Sequence, residues 1–396
     1  MSDALVVGAT GSAGSSIVDA LAGAGRRVIA IARRIDPDPR PNVRAVAVDA
    51  SQRVPLQAAL ASFRITDVYF AARARSGSRR RAPSPRRARR LIAAMAGARR
   101  GLGWIPGLSR AIDRRYALAS LAIDPDDATL RMLQEVIAVT RARPHALRHA
   151  LLVTGAMHYG VHMGPRLHPG YRVPFDDESS PRCPGPVWYH DAEDWLRAHA
   201  DGWTWTVLRA ALLLGHGARP ANALGMTLVL WAALCKLRGE PARFPGDAAA
   251  QAMRWDLTPG SLLGDMSLWS STTPAAWGRA FNCACGEALA WRELWAELAA
   301  SLDVAPAYPR AGVRLADAFV GAQAIWDAHA RARDLRPLRL DEICTPAAVD
   351  SNFVMSWDVS MTMNKAREAG FGAIPRLRDA LPQFVAELRA RRIVAV

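Results

Sequence analysis

The sequence predicts an α/β protein, a doubly wound parallel sheet with a smaller, mainly helical C-terminal domain. Three observations predict it. An apolar run, Ala4-Leu5-Val6-Val7, leads straight into a glycine turn and then a helical period. Short β-branched runs recur at residues 26–32 and 43–49 with helix-length stretches around them, the alternation expected of parallel sheets. Beyond about residue 215 the periodic segments lengthen to helical size, with residues 222–238 mostly apolar and residues 291–302 amphipathic. The chain of 396 residues accordingly divides into 1–215, which carries the nucleotide-binding sheet, and 216–396, a cap that partly returns to it.

The first turn is the most informative element. Glycines stand at 8, 11 and 14 in Gly8-Ala9-Thr10-Gly11-Ser12-Ala13-Gly14. Gly8 permits the tight turn out of the strand, Gly11 lets backbone N–H groups approach a pyrophosphate, and Gly14 lets the helix pack closely. The helix N-terminus then faces the phosphates with its positive end. Gly8, Thr10, Gly11, Ser12, Ala13 and Gly14 are thus candidate cofactor residues in a Rossmann-like domain. The GxxGxxG spacing resembles that of the short-chain dehydrogenases/reductases.

The second strand, residues 26–32, ends on Arg33-Arg34. An acid there would bind the ribose 2′-hydroxyl of NAD, whereas arginines accommodate the 2′-phosphate of NADP. The pair therefore points to NADPH, with two solvated surface arginines as the other reading. Asp49, at the tip of the third strand, is placed to reach the adenine. Residues 64–72 make a fourth strand, with Ala71 at its cofactor end. Leu130, Leu133, Val136 and Ile137 form a helical stripe, and residues 147–154 the next strand.

Between these last two strands the composition changes. From Arg73 to Arg115 the chain carries fourteen arginines and one acid, Asp113, so most of the formal net charge of +15 is local. A basic face spread over the fold, as nucleic-acid binding would require, is not what the distribution describes. The arginine-rich insert, about 75–122, reads as a disordered basic insertion, as a polyanion-binding arm, or as a frame-shifted stretch of a high-GC gene; all three stay open. The longest apolar stretch, residues 224–235, is shorter than the ~20 residues of a bilayer span. The chain opens on a strand and not on a basic, apolar leader, and its five cysteines form no CxxC pair. A cytoplasmic protein with reduced thiols, no metal site and no membrane partner is expected; a homodimer is left open.

Later blocks carry a more specific resemblance. No tyrosine has a lysine four residues on, as ordinary short-chain reductases require. Instead, Val153-Thr154-Gly155-Ala156-Met157-His158-Tyr159, Trp188-Tyr189-His190-Asp191-Ala192-Glu193-Asp194, Trp203-Thr204-Trp205-Thr206-Val207-Leu208-Arg209 and Met363-Asn364-Lys365-Ala366-Arg367-Glu368-Ala369-Gly370-Phe371 occur in order. With the glycine turn, Ile31-Ala32-Arg33-Arg34, Thr66-Asp67-Val68-Tyr69-Phe70, Trp231-Ala232-Ala233-Leu234-Cys235-Lys236 and Ala280-Phe281-Asn282, they resemble the progesterone 5β-reductase/iridoid synthase-like enzymes over nearly the full chain outside the insert.

The resemblance implies reduction of the C=C bond of an α,β-unsaturated carbonyl compound by NADPH, with Tyr189 holding the enolate oxygen. A phenol suits that task, being neutral at working pH and a strong hydrogen-bond donor. It also implies Thr154 and Gly155 beside the cofactor. The family's lysine falls on Met157, and a thioether can neither hold ribose hydroxyls nor favour a tyrosinate; His158 or His190 is a conceivable substitute. A hydrophobic enone is the expected substrate, with Trp326, Phe353, Met355 and Trp357 as candidates for an apolar wall. The rival reading, motivated by Met157, is a catalytically silent NADP(H)-binding protein acting as a redox sensor or regulatory partner.

Overall fold

The computed structural model describes residues 3–74, 128–142, 147–185, 187–218 and 223–395. The arginine-rich insert lies outside the described residues. The central sheet has seven parallel strands: β1 (Asp3–Val7), β2 (Arg27–Ala32), β3 (Val43–Ala47), β4 (Ile65–Phe70), β5 (His149–Gly155), β6 (Thr204–Ala210) and β7 (Arg279–Cys283). Their spatial order is β7-β6-β5-β4-β1-β2-β3. The order reverses between β1 and β4, and ligands of open α/β sheets bind in the crevice at the carboxyl ends beside such a point.

Strand alternation sends β1 into two cores. Ala4 and Val6 join Ile17 and Leu21 of helix α1 (Ser12–Gly23), while Leu5 and Val7 join Leu56 and Leu60 of α2 (Arg53–Leu60). The second core continues through Leu133, Val136 and Ile137 of α3 (Ala128–Arg141) and Ala192 and Leu196 of α4 (Trp188–His199). The predicted stripe on α3 is therefore the face that packs, with Leu130 half-buried at its edge.

The C-terminal part adds α5 (Leu224–Leu237), buried along almost its whole length, together with α6 (Gly260–Thr272), α7 (Trp291–Ser301) and α8 (Leu377–Ala390). Helix α6 lies on α1 through small residues: a Cβ on Gly264 would come 2.7 Å from that of Ala20. Phe244, Trp291, Trp295 and Phe353 form an edge-on aromatic cluster behind α7. Among the described residues no helix is long and apolar enough to cross a membrane. All five cysteines are buried and unpaired.

At the gap between β4 and α3 the chain is tied shut. The Ala74 N–H donates to Thr129 Oγ1 at 3.1 Å, so the two ends that flank residues 75–127 meet.

Candidate functional site

The carboxyl ends of β1, β4 and β5 bring most of the expected residues to one edge. Gly8 adopts φ +84°, a left-handed conformation, and a Cβ there would lie 2.8 Å from Ala72 Cα and 2.9 Å from the Ala71 carbonyl oxygen. Ala71 is itself held by its N–H, which donates to Val7 O at 3.0 Å. Gly14 is equally constrained, because a Cβ would come 2.1 Å from Gly8 O. It allows the helix to pack on the turn itself. Against Gly11 the crowding comes from elsewhere: a Cβ on Gly217 would stand 2.4 Å from the Gly11 carbonyl carbon, so the segment after β6 lies on the turn.

Ser12, first residue of α1, is buried and its Oγ has no partner. Orphan polar atoms of this kind call for a ligand or an ordered water, and a helix N-terminus offers N–H groups alongside. A phosphate oxygen suits that donor set, so the turn fits a dinucleotide. Arg33 and Arg34 are exposed at the tip of β2, where neither makes an ion pair among the described residues. Asp49 Oδ1 accepts from the Ser51 N–H and Oγ at 3.0 and 2.7 Å. Burial works against ionisation of that carboxyl, but the Ser51 bonds and the charge of Arg33 hold it below its ordinary pKa.

Tyr189 sits in the first turn of α4, edge-on to Trp188. A Cβ built on Gly155 would lie 3.7 Å from its hydroxyl and 3.0 Å from Ala210 O. The phenol thus rests at van der Waals distance from Gly155 at the end of β5. Among the described residues nothing hydrogen-bonds the Tyr189 hydroxyl. Burial raises its pKa above the usual phenol value, and the charge of Arg73 pulls it partly back.

Met157 occupies a 3-10 turn, Ala156–Tyr159, directly after β5. Its carbonyl accepts from Gly160 N–H (3.0 Å) and from Cys183 Sγ (3.3 Å). The two histidines that could stand in for a lysine are turned to other partners. His158 Nδ1 lies 3.3 Å from Glu193 Oε1, and His190 Nε2 lies 3.0 Å from the His158 carbonyl oxygen. Burial lowers the pKa of both, so neither offers a standing charge at neutral pH.

Sequence reasoning missed the buried polar network under this edge. Glu193 is bound by Arg209 through Nη2 (2.6 Å) and Nε (3.1 Å), and by Thr154 Oγ1 (3.3 Å). Arg209 Nη1 donates to Tyr159 Oη (2.9 Å), which donates to Asn282 Oδ1 (2.7 Å). Asn282 in turn donates from Nδ2 to Phe175 O and from its backbone to Asp177 Oδ2. Burial alone would raise the Glu193 carboxyl, but the bonds from His158 and Arg209 bring it down to about 2. The signal was present: every one of these residues except Asp177 and Phe175 falls inside a block that carries the family resemblance. Thr154 thus points at the network.

The apolar wall is corrected in part. Trp326 is wholly buried in the core beside His329, and Phe353 packs on Phe244 and Trp291. Trp357 does lie beside the turn after β5: its indole N–H donates to Val161 O at 2.8 Å, and Gly164 leaves room for its ring. His162, in the same loop, is buried with neither ring nitrogen partnered.

Comparison with known proteins finds relatives in sequence and in fold. Residues 4–96 match the model of the NAD dependent epimerase/dehydratase family. The chain is 28% identical over 276 residues to an (S)-8-oxocitronellyl enol synthase of Antirrhinum majus, covering 67% of this chain and 70% of that one. It is 25% identical over 276 residues to a 3-oxo-Delta(4,5)-steroid 5-beta-reductase of Arabidopsis thaliana, covering 68% and 70%. The fold is that of a short-chain dehydrogenase/reductase superfamily protein of Agrobacterium tumefaciens with bound NAD, at 15% identity and TM-score 0.55 over 99% and 98% of the two chains. The chain is therefore similar, at 25–28% identity, to an 8-oxocitronellyl enol synthase and a steroid 5-beta-reductase, and its fold is like that of a short-chain dehydrogenase/reductase superfamily protein.

Proposed function

We propose that the protein reduces the C=C bond of a hydrophobic α,β-unsaturated carbonyl compound with NADPH. The observation that carries this reading is Tyr189: a phenol whose hydroxyl has no hydrogen bond to a described residue, set at the end of β5 beside Gly155. The relatives named above, two of them enzymes of unsaturated carbonyl chemistry by name, support it.

Gly8, Gly11, Ser12 and Gly14 would hold the pyrophosphate, and the uncommitted Arg33 and Arg34 the 2′-phosphate, by bidentate contact. NADPH bound there would supply the hydride for the β-carbon, with a proton from water completing the reduction at the α-carbon. The chain's own part is electrostatic. The Tyr189 hydroxyl donates to the carbonyl oxygen, and that bond strengthens as the oxygen takes up enolate charge. Burial keeps the phenol protonated at neutral pH, so it is always a donor there. Glu193 and Arg209, a turn below, hold α4 to β6 and so hold the phenol in place.

The test is NADPH oxidation by the purified protein with 2-cyclohexenone. Wild-type turnover that drops by ~10²–10³ in Tyr189→Phe is the expected result. Unchanged turnover in that variant would remove the proposed role. Met157 favours a second reading, the silent NADP(H) binder: tight NADPH binding, no turnover on any enone, and turnover appearing in Met157→Lys would select it.

A further inference from the structure

The glycine turn is overlain by chain from outside β1 and α1. After β6 the backbone runs through Leu212–Leu214, which pairs in parallel with Leu257–Pro259, and then crosses the first residue of α1. Gly215 and Gly217 make the crossing. A Cβ on Gly215 would stand 2.7 Å from Ser12 O, and one on Gly217 would stand 2.6 Å from Ser12 N and 2.4 Å from the Gly11 carbonyl carbon. Backbone thus lies directly on backbone at Gly11 and Ser12, two of the residues assigned above to the pyrophosphate. Glycine backbone is the loosest in the chain, so a contact made by two glycines does not by itself hold its place.

Of residues 215–217 only His216 has a side chain. Its ring is buried, and Nε2 lies 2.9 Å from Asp19 Oδ2. Asp19 is seven residues from Ser12, two turns along α1 and on the same face. A carboxylate only accepts, so Nε2 carries the hydrogen and donates it. Burial and the charge of Arg391 keep the ring neutral, against the pull of Asp19. Asp19 is fixed in turn. Arg40 Nη1 donates to its Oδ1 at 2.8 Å, and Arg391 Nη2, just past α8, donates to its Oδ2. Arg40 is itself gripped by Asp38, at 2.8 Å through Nε and 2.6 Å through Nη2. The acceptor of the His216 bond is therefore held from the loop before β3 and from the C-terminal end at once.

We propose that His216 is a positioning residue for the cofactor: its bond to Asp19 keeps residues 215–217 on Gly11 and Ser12 and so holds the phosphate-binding turn in shape. The proposal rests on the dinucleotide reading of that turn. Donors already in place need no ordering when the ligand arrives, so a turn freed of this hold binds more weakly. The pyrophosphate is common to NADH and NADPH, and the loss falls on both alike. That separates His216 from Arg33 and Arg34, which bear on NADPH alone.

The experiment compares two amides in the full-length protein. In His216→Gln the side-chain nitrogen stands where Nε2 does and can still donate to Asp19; in His216→Asn it is one methylene too short. Calorimetry with NADPH and with NADH reads both variants against the wild type. His216→Asn is expected to weaken both cofactors by about tenfold, and His216→Gln to keep most of the affinity. Unchanged affinity in His216→Asn overturns the proposal. So does a loss confined to NADPH, which would move the effect to the 2′-phosphate end, and so does a loss as large in His216→Gln. Wild-type protein that binds neither cofactor would remove the dinucleotide reading, and hydrogen exchange of residues 8–15 then decides the contact by itself. Faster exchange in His216→Asn than in the wild type and His216→Gln supports the hold on the turn; equal exchange in all three overturns it.

Discussion

Arg33 and Arg34 stand at the tip of β2 without ionic partners among the described residues, beside a carboxylate, Asp49, already satisfied by Ser51. Exposed arginines that make no ion pair can grip a phosphate, and charge-assisted bonds of that kind contribute about 1.5–3 kcal/mol each. Replacing both by alanine is therefore expected to weaken NADPH binding by about a hundredfold or more while leaving NADH binding nearly unchanged. Titration calorimetry with the two cofactors checks this, and an equal loss for both would exclude the 2′-phosphate role. The place of these arginines was legible in the sequence because it depends on local order: strand, then tip residue. The same holds for Gly8 and Gly14, whose spacing encodes a close approach in which a Cβ would come 2.8 and 2.1 Å from neighbouring backbone atoms.

At the scale of elements, the first five strands and the helices read at residues 222–238 and 291–302 were legible to within two residues at each end, because period and turn chemistry are local signals. The cement between them was not. Glu193 on α4 and Arg209 on β6 sit sixteen residues apart and form a buried two-point ion pair that extends through Tyr159 to Asn282 on β7. Removing one partner of such a pair leaves an uncompensated buried charge and costs about 3–5 kcal/mol. Glu193→Gln and Arg209→Met should each lose stability on that order, and the double variant less than the sum of the two. Urea unfolding of the four proteins completes the cycle; strictly additive losses would show that the pair acts as two independent residues. Trp326 illustrates the opposite failure. Its sequence surroundings are compatible with a pocket wall, and only the packing of the whole C-terminal part decides that it is core.

For the molecule as a whole, buried neutral histidines set the acid limit. Burial pushes His149, His162 and His216 down to about 4. In the unfolded chain the same groups take up protons near pH 6.5. Between these values the unfolded state binds more protons, so stability rises with pH and is withdrawn as pH falls from about 6.5 towards 4. Each histidine can withdraw up to about 2 kcal/mol by pH 5. Glu193, at about 2, contributes stability that is present above the ordinary carboxylate range and fades below it, outside this window. Asp256 acts in the opposite sense, since burial raises its carboxyl to about 8, so the histidine effect is read as a difference: His162→Gln should lessen the fall of the urea midpoint between pH 7.5 and pH 5, and an unchanged fall would contradict the burial of that ring.

The hydrogen bond from Ala74 to Thr129 has a consequence for how such a chain can change. Loop-closure entropy grows only with the logarithm of length, so a segment of about fifty residues between these two points costs the fold about 2 kcal/mol more than a four-residue connection. That is small enough for natural selection to try many lengths and compositions there without rewriting the sheet. The site works as a socket, and it opens at the same edge as Tyr189. A lineage could thus acquire new recognition beside an old reaction by exchanging one cassette.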